Sequence, residues 1–310
     1  MINNIKNRKV KITSITVGAL LLIVVGFFIF IQSPVATASS PRKAAVVKPR
    51  LIVAGINTPS YPMFAEEAVK ISDYEVAERL DKELLVNTYM HASTMLYIKL
   101  SSRWFPVIEP ILKNNGIPDD FKYLCVAESG LQPVVSPSKA EGLWQFLAET
   151  GRQYDLEIND EVDERYNVEL ATQAACDYFN ESYARFGNWT LVAASYNMGQ
   201  GGLSRKMSDQ GQSNYYELLL SKETMRYILR IVALKEIMQN PTLHGFSLDA
   251  NDYYAPLNYY TDFVNTPINW VSYAAQKGLS YKDIRLMNPW INSDKMTNIK
   301  KKTYQIKIPN

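Results

Sequence analysis

Residues 12–31 (ITSITVGALLLIVVGFFIFI) carry no charged side chain, over a length that spans a bilayer as one helix, so this run divides the chain before anything else in it is read. Lys6, Arg8, Lys9 and Lys11 precede it, and the bias of basic residues towards the cytoplasmic side makes residues 1–11 a cytoplasmic basic tail and puts everything after residue 31 outside. The run is longer than the apolar stretch of a signal peptide, which favours an N-terminal transmembrane anchor; Ala36, Thr37 and Ala38 nevertheless offer a small-residue cleavage site. Anchor and cleaved signal peptide both stay open, and both export the remainder. No cysteine precedes Cys125, so attachment of lipid to an N-terminal cysteine is excluded.

Residues 32–72 are rich in Ser, Ala, Pro and Val and lack a sustained period, which makes them a linker. Helical spacing begins at Asp73, with Val76, Leu80 and Leu84 on one face, and the pattern predicts further helices over 103–114, 119–128, 168–186, 189–196 and 223–239. Gly116, Pro118 and Asp119 punctuate one start. Gly187 sits at a helix C-terminus, Asn188 at the next N-cap, and Asn240 with Pro241 stops the last helix. In the 168–186 helix, Ala171, Ala174, Ala175, Tyr178, Phe179, Ser182 and Phe186 share a face and are read as core. The result is a mainly α domain over 73–250. Beyond it NYYTDFV and TYQIKIP read as strands around short helices at 267–277 and 280–287, a small α+β module over 251–310.

The net charge of +2, with its densest basic clusters at the two termini, does not provide the clustered basic surface that nucleic acid requires. The cysteines, Cys125 and Cys176, have no CxxC or His-rich spacing, so neither a metal nor another cofactor is expected. His91 and His244 lack ligand-like neighbours and are read as structural.

The segment GIPDDFKYLCVAESG places Phe121, Leu124, Cys125 and Glu128 on related turns of one helix, broken by Gly130. A carboxyl there lies near the negative end of the helix dipole and partly out of water, and both effects raise its pKa towards what a general acid needs. Alone, this is an ordinary acid at a helix end. Its company makes the difference: AESG with Glu128, GLWQF with Gln145, ASYNMG with Tyr196 and Asn197, and ETMRY with Glu223 and Tyr227 follow one another in order, with VDERY at 162–166 between them. Through these blocks residues 73–245 resemble the lytic transglycosylases of the goose-lysozyme-like superfamily, and among them the membrane-bound D type.

That resemblance implies a lysozyme-like α-helical catalytic domain acting on peptidoglycan glycan strands. Glu128 would protonate the glycosidic oxygen and then, as carboxylate, take the proton of the C6 hydroxyl of the same sugar. The substrate then supplies its own nucleophile, and no second carboxylate is needed to activate water. By the same resemblance Ser136 supports Glu128, Asn197 contacts the N-acetyl group or backs Glu128, and Tyr227 hydrogen-bonds near the acid, with Glu223 four residues earlier on its helix face. Gln145 is able to donate to and accept from a sugar amide, and at least one of its neighbours Trp144 and Phe146 is core. Tyr196 and Asn197 lead into MGQGG, read as a flexible groove wall. The acidic run at 155, 157, 160, 161, 163 and 164 is read as solvated surface. Lys139 stands where the family often has glycine, and Ser195 where it has alanine. Residues 259–309 are similar to a degenerate LysM module, which implies binding of N-acetylglucosamine-containing glycan.

Overall fold

The spacing of apolar residues and the capping signals become a stack of helices, preceded by a small hairpin. The computed structural model describes residues 55–310; the basic tail, the apolar run expected to enter the membrane and most of the linker lie outside the described residues. Among the described residues no helix is long and apolar enough to cross a membrane. The hairpin pairs β1 (Met63–Phe64) with β2 (Glu67–Ala68), and then come α1 (Tyr74–Tyr89), α2 (His91–Asn114), α3 (Phe121–Ser129), α4 (Ala148–Gln153), α5 (Val168–Phe186), α6 (Trp189–Met198), α7 (Gln200–Gln210) and α8 (Lys222–Gln239).

The caps form as the residue types dictate. Asn188 accepts the N–H of Leu191 at 2.8 Å, and Gly187 takes a left-handed φ of 76° with its N–H on the Tyr183 carbonyl. Two elements depart from expectation. Helix α2 starts at His91 rather than at 103 and runs through Pro106 and Pro110. The hydroxyls of Ser101 and Ser102 donate back to the Ile98 and Lys99 carbonyls in the turns before the first proline. The glycine-rich stretch after Asn197 is not a flexible wall: only Gly199 separates α6 from α7, and Gly201 and Gly202 lie inside α7.

Two helices are buried along most of their length and set the core. In α3 every residue from Phe121 to Ala127 is buried, and in α8 Thr224, Tyr227, Ile228, Leu229, Ile231, Val232, Ala233, Leu234 and Ile237 are. Helix α8 packs on α1, α3 and α6, and α5 packs on α2 and α6. Phe121 lies at the centre, its ring 5.2 Å from Phe64, 4.5 Å from Phe179 and 5.4 Å from Trp189. A helix buried on all sides has little freedom to rotate or slide, and α3 carries Glu128 at its C-terminal end.

The C-terminal module pairs β3 (Tyr259–Val264) antiparallel with β6 (Tyr304–Pro309) and β4 (Ile268–Asn269) with β5 (Lys295–Met296), around α9 (Trp270–Gln276) and α10 (Tyr281–Met287). Its own core contains Trp270, Ile284, Trp290, Ile291, Ile306 and Ile308, together with Val162 from the helical part. Asn288 ties α10 to β6 by donating to the Ile284 and Lys307 carbonyls and accepting the Lys307 N–H.

Val162 marks the seam at which one acidic reading is overturned. Asp155 and Asp160 are exposed as expected, but Asp163 and Glu164 are 4% and 2% exposed. Their partners explain this: Asp163 pairs with Arg165 at 2.6 Å, and Glu164 takes Lys302 of the module. Tyr304 donates to Glu157 at 2.9 Å, and Lys307 pairs with Glu169 at 2.6 Å. A charge leaves water only where a counter-charge and donors replace it; Arg165 supplies them for Asp163, and Lys302 of the module supplies the counter-charge for Glu164. Truncating the central ring, Phe121→Ala, is expected to cost about 3–5 kcal/mol of stability, read by denaturant unfolding.

Candidate active site

Glu128 stands where α3 must stop. Gly130 closes the helix with φ of 63°, its N–H on the Val126 carbonyl, and a Cβ there would lie 2.2 Å from Cε1 of Tyr97. No side chain fits that position without displacing the ring, so the termination is built into the packing. Glu128 follows seven buried residues and is itself only partly exposed. The Tyr227 hydroxyl, reaching across from α8, donates to its Oε1.

Burial pushes the Glu128 carboxyl up to about 7, against the pull of the Tyr227 hydroxyl and of the Arg230 charge, while the Glu223 charge adds to the rise. Glu128 as a whole residue is only partly covered, yet loss of water around its carboxyl is the dominant cause of the rise. Glu223, Tyr227 and Arg230 follow one another at helical spacing along one face of α8, with Glu223 exposed. Arg230 was not singled out in the sequence, although its position three residues after Tyr227 was a usable signal.

The loop 139–146, which holds Gln145, meets the same helix one turn before the acid, at Cys125. Lys139, Gly142 and Gln145 all have left-handed backbones, with φ of 63°, 80° and 52°. Gly142 is obligatory on two counts, since a Cβ there would also lie 2.0 Å from the Arg165 carbonyl oxygen. Lys139 holds its left-handed backbone at a conformational cost of about 1–2 kcal/mol. Side chains hold the strained loop by its carbonyls. Cys125 Sγ donates to Leu143 O at 3.4 Å, Tyr196 Oη to Trp144 O at 2.7 Å, and Arg165 Nη1 to Phe146 O at 3.2 Å and Lys139 O at 3.3 Å. Both flanking rings are core: Trp144 is fully buried with its Nε1 on Thr172 Oγ1, and Phe146 packs on Tyr196.

The remaining site residues fall into place unequally. Gln145 spends both protons of its Nε2 on Val134 O at 2.9 Å and Gly142 O at 2.8 Å, so it meets a ligand as an acceptor rather than as donor and acceptor. Tyr196 spends its hydroxyl on the loop, and burial pushes its pKa well up. Asn197 Oδ1 accepts the Thr224 hydroxyl at 2.9 Å, which orients its Nδ2 as a donor; its recorded bond is to α8 and not to Glu128. Ser136 Oγ accepts the Ala140 N–H at 2.9 Å, so its recorded bond closes a turn of the loop and does not reach Glu128. Thr224 and Arg165 were missed as parts of the site. Cys125 and Cys176 are both free and buried, with burial pushing the Cys125 thiol well up and the Cys176 thiol to about 12.

Two measurements probe this geometry. In a carbon NMR titration of the Glu128 carboxyl, Tyr227→Phe removes a donor to the carboxylate and moves the midpoint above 7, whereas Glu223→Gln removes a like charge and moves it below. Lys139→Gly relieves a left-handed backbone and is expected to stabilise the protein by up to about 1 kcal/mol in thermal unfolding, the remainder being offset by greater freedom of the unfolded chain.

Comparison with known proteins matches residues 105–219 to the family model described as transglycosylase SLT domain, and residues 260–310 to that described as soluble lytic transglycosylase C-terminal LysM-like domain. The chain is also similar to membrane-bound lytic murein transglycosylase D of Escherichia coli strain K12, and to the protein of the same name from Escherichia coli O6:H1. It is 26% identical to each over 219 residues, 69% of this chain and 47% of the relative. The chain thus spans about half the length of these curated relatives. Residues 105–219 thus match a transglycosylase SLT domain, and residues 260–310 match the LysM-like domain that ends soluble lytic transglycosylases.

Proposed function

We propose that the protein is a peptidoglycan lytic transglycosylase that cleaves the β-1,4 bond between N-acetylmuramic acid and N-acetylglucosamine and leaves 1,6-anhydro-muramic ends. The observation that carries this reading is the Glu128 carboxyl at the end of a buried helix, its proton affinity raised to a pKa of about 7 and its Oε1 held by Tyr227. At neutral pH such a group is populated both as acid and as base, which one residue needs if it is to serve in turn as each.

Protonated Glu128 gives its proton to the glycosidic oxygen as the bond to C1 of the muramic acid breaks. The resulting carboxylate removes the proton of the C6 hydroxyl, whose oxygen closes on C1. Glu128 ends protonated, and no water is consumed. Tyr227 holds the carboxyl in place and stabilises its anionic stage. Asn197 offers Nδ2 to the carbonyl of an acetamido group, and Gln145 offers Oε1 to an N–H or hydroxyl. Tyr196 acts through the loop it fixes, Ser136 through the turn it closes, and Glu223 through its charge. The chemistry calls for no metal or other cofactor. The reading divides the chain into a catalytic domain over 73–250 and a glycan-binding module over 251–310. Residues 12–31 anchor it in the inner membrane with the domains in the periplasm, or are cleaved to release it.

Mass spectrometry of muropeptides released from purified peptidoglycan tests the proposal. Anhydro ends, lighter by one water than reducing ends, are expected. Glu128→Gln is expected to lower the rate by at least about 100-fold while pull-down of glycan is unchanged. Reducing ends would instead make the protein a lysozyme-type hydrolase, and binding without new ends a peptidoglycan-binding protein. Full activity of Glu128→Gln would remove Glu128 as catalyst.

A further inference from the structure

One side chain joins the loop that holds Gln145 to the C-terminal module. Arg165 is 5% exposed and uses its whole guanidinium. Nε and Nη2 grip the Asp163 carboxylate, at 2.9 Å to Oδ1 and 2.6 Å to Oδ2, and Nη2 also pairs with Glu141 at 3.1 Å. Nη1 donates to the carbonyls of Lys139 and Phe146, the two ends of the loop, so a single planar group closes it. The Arg165 backbone adds a second constraint, since its carbonyl fills the space that a Cβ on Gly142 would take.

The other side of the same short segment belongs to the module. Val162 is 1% exposed within the module core and bridges to Ile291. The Asp163 N–H donates to Trp290 O at 2.8 Å, and the Asn292 N–H donates to Glu161 O at 2.9 Å. Glu164 is held by Lys302 and accepts the Glu157 N–H at 2.8 Å. Residue 163 is therefore fixed from the module through its backbone and hands that position to Arg165 through its carboxylate. Left-handed backbones at non-glycine residues, such as Lys139 and Gln145, persist only where their surroundings over-determine them. Among the described residues Arg165 supplies that restraint at both ends of the loop.

We propose that the C-terminal module is a positioning element of the cleavage site: it fixes residues 161–164, and Arg165, the positioning residue, transmits that placement to the 139–146 loop and to Gln145. The effect on turnover rests on the transglycosylase reading, whereas the mechanical coupling does not. The module thus contributes to chemistry as well as to whatever glycan it holds.

The test uses the full chain with three substitutions and a control. Arg165→Lys keeps the charge and loses the fork. Ile291→Ala loosens the seam, and Lys302→Met does so at a half-exposed position, leaving both cores whole should Ile291→Ala fail to fold. Leu112→Ala, a buried site in α2, controls for general loss of stability. Amide hydrogen exchange over 139–147 is expected to accelerate by about tenfold or more in Arg165→Lys and in the seam variants, and not in the control. In the same three variants kcat/KM on soluble glycan strands is expected to fall by about tenfold or more, while the Glu128 carboxyl titrates as in the unaltered protein. Wild-type exchange across the loop in the seam variants overturns the proposal, as does faster exchange in the control to the same degree. Absence of turnover by the unaltered protein would sink the transglycosylase reading alone, because the exchange measurement still decides the coupling.

Discussion

Burial of α3 from Phe121 to Ala127 is the constraint on which the rest of this structure turns. A helix enclosed on all faces has one orientation, so the residue at its end has one location, and that residue is a carboxylic acid. Phe121 at the first turn anchors the helix among Phe64, Phe179 and Trp189. Gly130, pressed against Tyr97, ends it where a further turn would carry the chain away. The raised proton affinity of Glu128 needs no special device; it follows from placing an ionisable group at the exit of a dry helix, with Tyr227 keeping it from being raised further.

In the 139–146 loop, which Cys125 of the same helix touches, rigidity is reached by other means. The 139–146 loop has little regular structure, and its carbonyls are taken one by one by a thiol, a phenol, an amide and a guanidinium. The amide is the loop's own Gln145, while the thiol, phenol and guanidinium come from three other parts of the fold, so the loop is only as well placed as the elements around it. A precise site built from irregular backbone demands such cross-bracing, since a strained turn relaxes as soon as its restraints are loosened.

The helices were largely legible in the sequence because period and caps are local properties: Val76, Leu80 and Leu84 marked α1, Asn188 marked the start of α6, and the strands of the module were visible as NYYTDFV and TYQIKIP. What was not legible depended on partners distant in sequence. Glu164 looked like a solvated acid because Lys302 becomes its neighbour only after folding; Asp163 has its partner Arg165 two residues away, but Trp290 and the loop carbonyls that enclose the pair come from elsewhere in the chain. Arg165 carried no signal as a site residue, since what it grips across the fold is backbone carbonyl, which any residue possesses. The pairing of Glu128 with Tyr227 was reached through ordered motifs, because nothing local connects residues 99 positions apart. Gln145 was identified by its block, but its loss of donor capacity required the carbonyls of Val134 and Gly142 to be seen.

The two thiols carry a last consequence. Cys125 and Cys176 are buried and unlinked, one of them donating to a loop carbonyl, and burial keeps both from ionising. Nothing in the packed core therefore waits on an oxidant. Among the described residues the fold is held by apolar burial, hydrogen bonds and ion pairs, with no disulfide among its constraints.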